Sequence, residues 1–401
     1  MSYESRKPSV NSNGWERTPV IILAAQGTVW LASEKSLRQG TVDVPIPAVI
    51  DCCKIEQTWG LSKFQIQEKW GVAMLEVRHI NDEEVEQQVG VAQLSSMSSL
   101  YIDDVLAVVE RGARKLPSYL ELYRKAVGQA WSPDELDFSR DRQEWQGLSA
   151  ETKKRRMWSL RMFFAGEERV ASLLAPLVWA APSKDVEAFV ASQLADEVRH
   201  TILFDRYWRE VVGTDAKDLH ELVNQISVTA QENPAYRYLF YEWLPEQSQW
   251  LASHPNDVDA TARFVSVYHL IVEGAMFLTG MRYQLEGARR WGRTWSFYQG
   301  FTAATRDESR HVIFGVRYLR DLARDNPSRF VPLIQDTIRE FRPLISTIMR
   351  PPQGDMTYYG GKHLESAWPG YTPQLLQEEM IEYAHSALGR RLHAVGIPVP
   401  A

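Results

Sequence analysis

A five-residue motif occurs twice in this chain, as Asp196-Glu197-Val198-Arg199-His200 and as Asp307-Glu308-Ser309-Arg310-His311. Each copy follows a lone glutamate: Glu167 precedes the glutamate of the first copy by 30 residues, and Glu273 precedes that of the second by 35. A glutamate and a histidine three positions apart lie one turn apart on one face of a helix, so both can reach one ion. Four carboxylates and two imidazoles are the ligand set of a carboxylate-bridged dimetal centre inside a four-helix bundle.

The sequence therefore predicts a site for two metal ions. Carboxylate with imidazole suits iron and manganese, whereas thiolate favours zinc, copper or iron–sulfur clusters. We expect manganese with iron, or two irons. The spacings also fit a helix, a short turn and a return on the next helix, since each helical residue adds about 1.5 Å. The candidate ligands are Glu167, Glu197, His200, Glu273, Glu308 and His311.

The surroundings of the two lone glutamates support this prediction. The stretch 264–278 is apolar nearly all round, which is typical of a buried helix, and Glu273 lies in its middle. Glu167 likewise lies between apolar runs. An ionised carboxylate in such a place is costly unless it is paired or bound to metal. Asp196 and Asp307, which precede the motif glutamates, are expected to accept the second ring N–H of a ligand histidine and so to orient it.

Glu-x-x-His also occurs at Glu76–His79 and at Glu382–His385. Neither copy follows an aspartate, and neither has an apolar-flanked glutamate 30 to 35 residues upstream. We interpret both as ordinary surface or core-edge pairs, because a single motif of this length is only a hypothesis.

From about Leu116 to the C-terminus, the sequence resembles the ribonucleotide reductase small-subunit superfamily and, within it, the R2-like ligand-binding oxidases. Residues 131–141 resemble the start of that family's bundle, with a capping box from Ser132 to Glu135 and proline at the first helical position. Residues 165–170 resemble its first ligand helix and residues 307–312 its last. The resemblance implies a mainly α protein with a ferritin-like four-helix-bundle core and additional helices.

The resemblance also implies a role for Val170 and Tyr268. In these oxidases a valine three residues after the first ligand and a tyrosine five before the third are joined in an ether when the centre reacts with oxygen. Both residues stand at matching offsets here. The alternative is that they are only core residues of two helices.

Two features bear on the distinction from the reductases. Phe204, four residues after His200, occupies the place where many reductase small subunits carry a radical tyrosine, and phenylalanine cannot form a stable phenoxyl radical. Some manganese–iron reductase subunits also have phenylalanine there, so Phe204 alone does not decide. Residues 389–401 lack the acidic character and the tyrosine expected of a reductase tail.

The function implied is an oxygen-activating dimetal oxidase or oxygenase. The resemblance implies O2, an electron donor that the sequence does not identify, a long fatty-acid-like ligand bound to the metals through its carboxylate, and a homodimer. The alternatives are a dimetal N-oxygenase or desaturase of a biosynthetic pathway, a ribonucleotide reductase small subunit, and a non-catalytic metal-storage or scaffold bundle.

Composition limits the remaining classes. Of the 401 residues, 44% are apolar and 24% charged, as in ordinary soluble globular proteins. The net charge of −6 argues against non-specific nucleic-acid binding. Cys52 and Cys53 are the only cysteines, which fits a reducing compartment. The first eighteen residues lack the layout of a signal peptide, and we expect no apolar run long enough to span a bilayer. The prediction is a cytoplasmic protein.

Periodicity predicts two parts. Residues 116–401 are assigned to the oxidase domain, and residues 1–115 to a small α+β accessory module of unknown role. The core helices are placed at 149–180, 185–212, 258–286 and 291–324, further helices at 330–348 and 372–394, and an additional helical region at 215–243.

The accessory module has weaker signals. A β-hairpin is expected from Val20–Leu23 and Thr28–Leu31, a helix within Pro47–Lys69, and a helix start at Asn81. Residues 59–72 faintly resemble a helix-turn-helix, but no basic recognition face follows, so DNA binding is not expected.

Overall fold

The chain divides into two compact units, Met1–Glu84 and Val85–Ala401, in this computed structural model. The structure describes residues 82–359, 364 and 367–400, together with five strands among residues 20–77. The boundary lies earlier than the predicted residue 115. The reason is that helix Ile102–Lys115 packs against helix Ser296–Asp325 so closely that a Cβ at Gly112 would lie 2.2 Å from Cδ1 of Ile313. Residues 85–115 therefore belong to the helical unit.

The first unit contains a five-stranded antiparallel sheet in the order β3-β2-β1-β5-β4. Leu23 of β1 faces Trp30 of β2, which confirms the predicted hairpin. The helix predicted within Pro47–Lys69 is wrong for residues 64–69, which form β4, and the helix-turn-helix reading fails for the same reason. Alternating Phe-Gln-Ile-Gln follows the strand period. Residues 48–63, including both cysteines, lie outside the described residues. The strands are β1 Val20–Ala25, β2 Thr28–Ser33, β3 Val44–Pro47, β4 Phe64–Lys69 and β5 Val72–Val77.

The rest of the described chain is helical. The α-helices are α1 Asp82–Val91, α2 Ile102–Lys115, α3 Tyr119–Gly128, α4 Ser139–Gly147, α5 Ala150–Trp179, α6 Lys184–Tyr207, α7 Leu219–Gln231, α8 Pro234–Arg237, α9 Leu244–Ser253, α10 Val258–Val265, α11 Leu278–Arg290, α12 Ser296–Asp325, α13 Pro327–Ile348 and α14 Pro373–Val395. Three segments have π-helical hydrogen bonding: Trp208–Val212, Tyr238–Trp243 and Ser266–Phe277. Four short segments have 3₁₀-helical hydrogen bonding: Leu94–Ser99, Pro133–Glu135, Pro352–Gly354 and Met356–Tyr359.

Four long helices form the core, as the sequence predicted. Helix α5 packs along α6, and α12 packs along α6 and the π-helical segment Ser266–Phe277. That segment continues α10 and is continued by α11, so residues 258–290 run as one helix. Helix α12 begins at Ser296, later than predicted, because Gly292 with φ +71° ends the preceding helix and Asp141 accepts the backbone N–H of Ser296 at 3.1 Å.

The helix Val258–Arg290 is long enough, and its most apolar 18-residue window apolar enough, to cross a membrane by length and composition, with a mean hydropathy of 1.4 for that window. The prediction that no apolar run reaches this length is therefore wrong. In the structure 94% of its most apolar window is buried, so the run is the central helix of the bundle.

Serine side chains start several of these helices. Ser149 Oγ accepts the backbone N–H of Thr152 at 3.2 Å and begins α5, and Ser183 does the same for α6 at 3.3 Å. The capping box predicted from Ser132 to Glu135 is wrong. Ser132 Oγ accepts the N–H of Asp134 at 3.2 Å and begins only a 3₁₀ turn.

Candidate metal centre

The six candidate ligands come from four helices and meet at one place. Helix α5 provides Glu167, α6 provides Glu197 and His200, the π-helical segment provides Glu273, and α12 provides Glu308 and His311. All six side chains are 0% exposed. Their ligating atoms form two groups, each with its atoms within 4.8 Å of one another: Glu167, Glu197, His200 and Glu308; and Glu197, Glu273, Glu308 and His311.

Both groups share Glu197 and Glu308, the two motif glutamates. A carboxylate that belongs to both groups is placed to bridge two ions, and the other residues are placed to bind one ion each. The other Glu-x-x-His at Glu382–His385 lies elsewhere, with Glu382 exposed and His385 Nε2 at 2.9 Å from Ser346 Oγ. The sequence thus separated the two motif copies from this lookalike correctly.

Each ligand histidine faces the carboxylates with Nδ1. His200 Nδ1 lies 3.2 Å from Glu167 Oε2 and 3.3 Å from Glu308 Oε1. His311 Nδ1 lies 3.3 Å from Glu197 Oε1 and 3.5 Å from Glu308 Oε2. Because one nitrogen of each ring points to the cluster, the other is left to bind a group outside it.

The aspartates bind those outer nitrogens, but across the two motifs. His200 Nε2 lies 3.4 Å from Asp307 Oδ2, and His311 Nε2 lies 3.3 Å from Asp196 Oδ2. The prediction that these aspartates orient the ligand histidines agrees with this geometry. Each aspartate serves the histidine of the other helix, an arrangement that the sequence did not reveal. A histidine with Nε2–H bound to a carboxylate is held with Nδ1 free to ligate a metal.

Two arginines of the motifs join the aspartates. Arg310 donates to Asp196 at 3.0 Å and to Asp307 at 2.7 Å, and Arg199 donates to Asp196 at 2.5 Å. These two aspartates and two arginines form a layer outside the cluster, and their charges cancel. This layer therefore does not offset the negative charge of the four glutamates. Reasoning from the sequence missed both arginines, although their identical place in the two motif copies was a usable signal.

Trp131 extends the layer towards the surface. Its Nε1–H donates to Asp307 Oδ2 at 2.8 Å, and its ring stacks on that of His200 with centroids 6.5 Å apart. A hydrogen-bonded path therefore runs from Trp131 through Asp307 to His200.

Tyr268 lies against both the cluster and Val170. Its hydroxyl donates to Glu197 Oε1 at 3.3 Å and lies 3.4 Å from the backbone carbonyl oxygen of Val170. Burial, reinforced by the charge of Glu197, raises the pKa of Tyr268 well above its usual value, so the phenol keeps its proton. Phe204 lies in an aromatic group with Phe164, on which it stacks with centroids 5.6 Å apart.

Gln193 and His269 are two further buried polar residues beside the cluster. Gln193 Nε2 donates to Glu273 Oε1 at 2.9 Å, and Gln193 Oε1 lies 3.1 Å from His269 Nε2. Burial lowers the pKa of His269 to about 3, so its ring is neutral at neutral pH. The sequence analysis did not single out either residue. The available signal was their position, four residues before Glu197 and four before Glu273.

The ligand atoms of the cluster are better placed to bind metal ions than to bond with other groups of the protein. Several of its buried atoms have no hydrogen-bond partner: Glu167 Oε1, Glu197 Oε2, Glu273 Oε2, both oxygens of Glu308, and His311 Nδ1. Buried polar atoms are normally satisfied, so such a concentration calls for a bound cation. Burial raises the pKa of Glu167 to about 8 and that of Glu273 well above its usual range. Two divalent ions would balance four glutamates.

A cavity of about 290 Å³ lies between α5, α11, α12 and α14, and aromatic and aliphatic side chains form most of its wall. Its wall includes Phe163, whose ring packs against those of Phe277 and Phe301 with centroids 5.8 and 5.2 Å apart. Phe163 is one helical turn before Glu167, and Phe277 is one turn after Glu273. A Cβ at Gly166 would lie 2.5 Å from Phe277 Cζ, so that ring covers the residue next to Glu167. Charged residues line another part of the wall: Asp141, Glu144, Arg155, Arg156 and Arg293.

Comparison with known proteins confirms the predicted resemblance. The model of the family described as ribonucleotide reductase, small chain, matches residues 113–343. The structure is similar to that of R2-like ligand-binding oxidase with aerobically reconstituted Mn/Fe cofactor, with 23% identity, 68% of this chain and 92% of that chain covered, and a TM-score of 0.59. A tyrosine-to-phenylalanine mutant of such an oxidase with anaerobically reconstituted Mn/Fe cofactor matches with 23% identity, 68% and 93% covered, and a TM-score of 0.59. This likeness establishes the ferritin-like fold.

Proposed function

Because this chain belongs to the ribonucleotide reductase small chain family, we propose that it is an oxygen-dependent dimetal oxidase that binds manganese with iron, or two irons. The observation that carries the proposal is the buried cluster of four carboxylates and two imidazoles, in which six ligand atoms have no hydrogen-bond partner in the protein. Structural ion pairs do not leave this many ligand atoms unpaired. The Mn/Fe cofactor of the similar oxidases supports the same reading.

The protein would hold one ion with Glu167 and His200 and the other with Glu273 and His311, and Glu197 and Glu308 would bridge the two. The crossed aspartates fix the orientation of each imidazole, with Nδ1 facing the cluster. The bound ions would supply the oxygen-activating chemistry. The surrounding aromatic and aliphatic side chains exclude water, which protects a reactive centre from side reactions.

A tyrosine–valine ether is the self-directed product that we propose. The Tyr268 hydroxyl is held between Glu197 and the backbone of Val170, and Glu197 can accept its proton. The new bond joins the phenolic oxygen to a carbon of the Val170 side chain, and an O–H and a C–H bond break. These two side chains then give up two hydrogens as protons and two electrons. Reduction of one O2 to two water molecules takes two further electrons, which the ions would supply if bound in reduced form, and two protons from solvent.

The path Trp131–Asp307–His200 offers a route for electrons from an external donor. Trp131, at 7% exposed, is the least buried of the three residues, and its N–H reaches the fully buried aspartate. A donor that docks over Trp131 would then reduce the centre between turnovers.

The cavity supports a long apolar ligand. Its wall includes Phe163 and Phe277, each four residues along its helix from Glu167 or Glu273, so an alkyl chain in the cavity would approach the metal centre past these two rings. A fatty-acid-like carboxylate bound to the metals requires the rings of Phe163 and Phe277 to turn aside. Pockets of this size and apolar character typically bury most of the surface of a small ligand.

Metal loading of the chelator-treated protein tests the proposal. We expect two ions per chain, oxygen uptake after loading with reduced metal, and a linked peptide containing Val170 and Tyr268 in the mass spectrum. The variant Tyr268→Phe should keep both ions and lose the linked peptide. Tyr318→Phe, a buried tyrosine on α12, is the matched control and should behave as the wild type.

Other outcomes would separate the alternatives. Oxygen uptake with separate, unmodified peptides would contradict the ether and favour the N-oxygenase or desaturase, which a screen for nitro or desaturated products would identify. Nucleotide reduction on mixing with a reductase large subunit would favour a reductase role. A loaded protein that is inert to oxygen would favour metal storage.

A further inference from the structure

Gln193 connects the metal centre to His269, and neither residue is among the six ligands. Gln193, His269 and Glu273 are each 0% exposed. An amide has one donor end and one acceptor end, whereas an ionised carboxylate only accepts. The NH2 of Gln193 therefore faces Glu273 at 2.9 Å, and its oxygen faces His269 Nε2 at 3.1 Å. With the amide in this orientation, its oxygen accepts a hydrogen bond from the His269 tautomer that carries its hydrogen on Nε2.

His269 is itself held by close packing. A Cβ at Gly315 would lie 2.3 Å from the Cβ of His269, so only glycine at this position lets α12 approach the histidine. The ring also packs against Phe314, with centroids 5.2 Å apart. The imidazole is thus a fixed donor for the amide oxygen.

The two terminal glutamates differ because of this pair. Glu273 Oε1 is occupied by the amide of Gln193, and only Oε2 lacks a partner. Glu167, the corresponding ligand of the other group, has no such amide among its hydrogen bonds. Its Oε2 lies against His200 and its Oε1 lacks a partner.

We propose that Gln193, oriented by His269, is a positioning residue that restricts Glu273 to binding one metal ion through a single oxygen and so makes the two metal sites unequal. This inference rests on the dimetal function proposed above. A residue that orients a ligand carboxylate typically changes metal affinity about 10- to 100-fold when it is removed. The effect falls on the site of Glu273 and His311 and leaves the other site unchanged.

Titration of the full-length, chelator-treated protein with Mn²⁺ under anaerobic conditions tests this, with free Mn²⁺ measured by electron paramagnetic resonance. Gln193→Leu should bind one ion as the wild type does and the second about 10- to 100-fold more weakly. Gln193→Met keeps the volume with a more adaptable side chain and should give the same result, should the leucine variant fail to fold. Ser266→Ala is the matched control, since Ser266 is buried on the helix that carries His269 and Glu273 and donates to the Ala262 carbonyl at 2.7 Å.

The variant His269→Phe distinguishes an orienting role of His269 from a purely structural one. It should weaken the second site less than Gln193→Leu does, and the double variant should be no weaker than Gln193→Leu alone, because the histidine acts through the amide. Additive losses would overturn the role of His269. Two ions bound by Gln193→Leu with wild-type affinity would overturn the role of Gln193 alone. Fewer than two ions bound by the wild-type protein would overturn the dimetal function, and this inference with it.

Discussion

His200 on α6 is hydrogen-bonded to Asp307 on α12, with 3.4 Å between Nε2 and Oδ2. The reciprocal bond joins His311 to Asp196 at 3.3 Å. Each half of the repeated motif therefore supplies a ligand histidine and receives from the other half the carboxylate that orients it. Neither half forms a complete set of oriented ligands without its counterpart.

Replacing either aspartate should weaken metal binding. In Asp307→Asn, the amide cannot match the charge of Arg310 and binds the imidazole of His200 more weakly. We expect the affinity for metal to fall about 10- to 100-fold, measured by metal titration of the chelator-treated protein. Asp321→Asn on the same helix is the control, because Asp321 accepts from Tyr119 at 2.6 Å and lies in the outer, exposed part of the fold. Unchanged affinity in Asp307→Asn would contradict the orienting role.

Metal should stabilise the fold through the buried glutamates. When free metal is 100 times its dissociation constant, binding to one site in the folded state adds about 2.7 kcal/mol to the free energy of unfolding. Glu308→Gln removes one buried charge, so the metal-free variant should unfold at a higher temperature than the metal-free wild type. The same variant should lose most of the rise that metal causes. Calorimetry with and without metal measures both, and a variant that is less stable in the metal-free state would argue against an uncompensated carboxylate at this position.

The position of one aromatic ring in the cavity wall depends on close packing at a glycine. A Cβ at Gly280 would lie 2.6 Å from Cζ of Phe163, which forms the wall near the metal centre. We expect Gly280→Ala to push this ring into the cavity, to lower the affinity for an apolar ligand and to cost about 1–3 kcal/mol of stability. In Gly389→Ala the new Cβ meets only Val399 Cγ2 at 3.6 Å, so helix propensity should stabilise α14 by up to about 1 kcal/mol. Denaturant unfolding and binding of a fluorescent fatty acid check the pair, and equal behaviour of the two variants would contradict the packing argument.

Asp141 should give stability a distinct pH dependence. Burial raises its pKa to about 6 from 3.8, although it accepts the backbone N–H groups of Phe297 and Ser296. Because the folded protein binds this proton more tightly than the unfolded chain does, the free energy of unfolding should fall as pH rises from about 4 through about 6. Asp141→Asn removes this dependence, so the stability of the wild type relative to the variant should decrease over that range in urea unfolding. The exposed Asp137, whose pKa is lowered chiefly by a hydrogen bond from the backbone of Ser139, should show the opposite sign.

The cluster of candidate metal ligands was predictable because each of its residues lies in a helix with a strong period. Glu-x-x-His sets the face of the helix, and the apolar flanks of Glu167 and Glu273 require burial, so the six positions follow from local pattern. The helices of the bundle were predicted within a few residues for the same reason. Two of the errors were the start of α12, which depends on the turn at Gly292, and the domain boundary, which depends on the packing of α2 against a helix far away in the chain.

What the sequence did not reveal depends on contacts between helices. Which aspartate binds which histidine depends on how the two helices pack. Because both motif copies have an aspartate and a histidine at the same positions, the sequence does not reveal that Asp196 and Asp307 each bind the histidine of the other copy. Gln193 and His269 belong to different helices and become a pair only when α6 packs on the central helix. The strand Phe64–Lys69 was missed because its alternation covers only six residues.

The placement of the site residues depends on the number of residues in the π-helical segment Ser266–Phe277. Tyr268 and Glu273 are five positions apart, the hydrogen-bonding interval of a π-helix, so both side chains reach the same cluster. Removing a single residue here would convert the segment towards α-helical winding and turn everything after it by about 100° about the helix axis. Gly280 would then no longer face Phe163. We therefore expect related chains that keep this function to have no insertion or deletion in this segment. Its length should be retained as strictly as its candidate ligands.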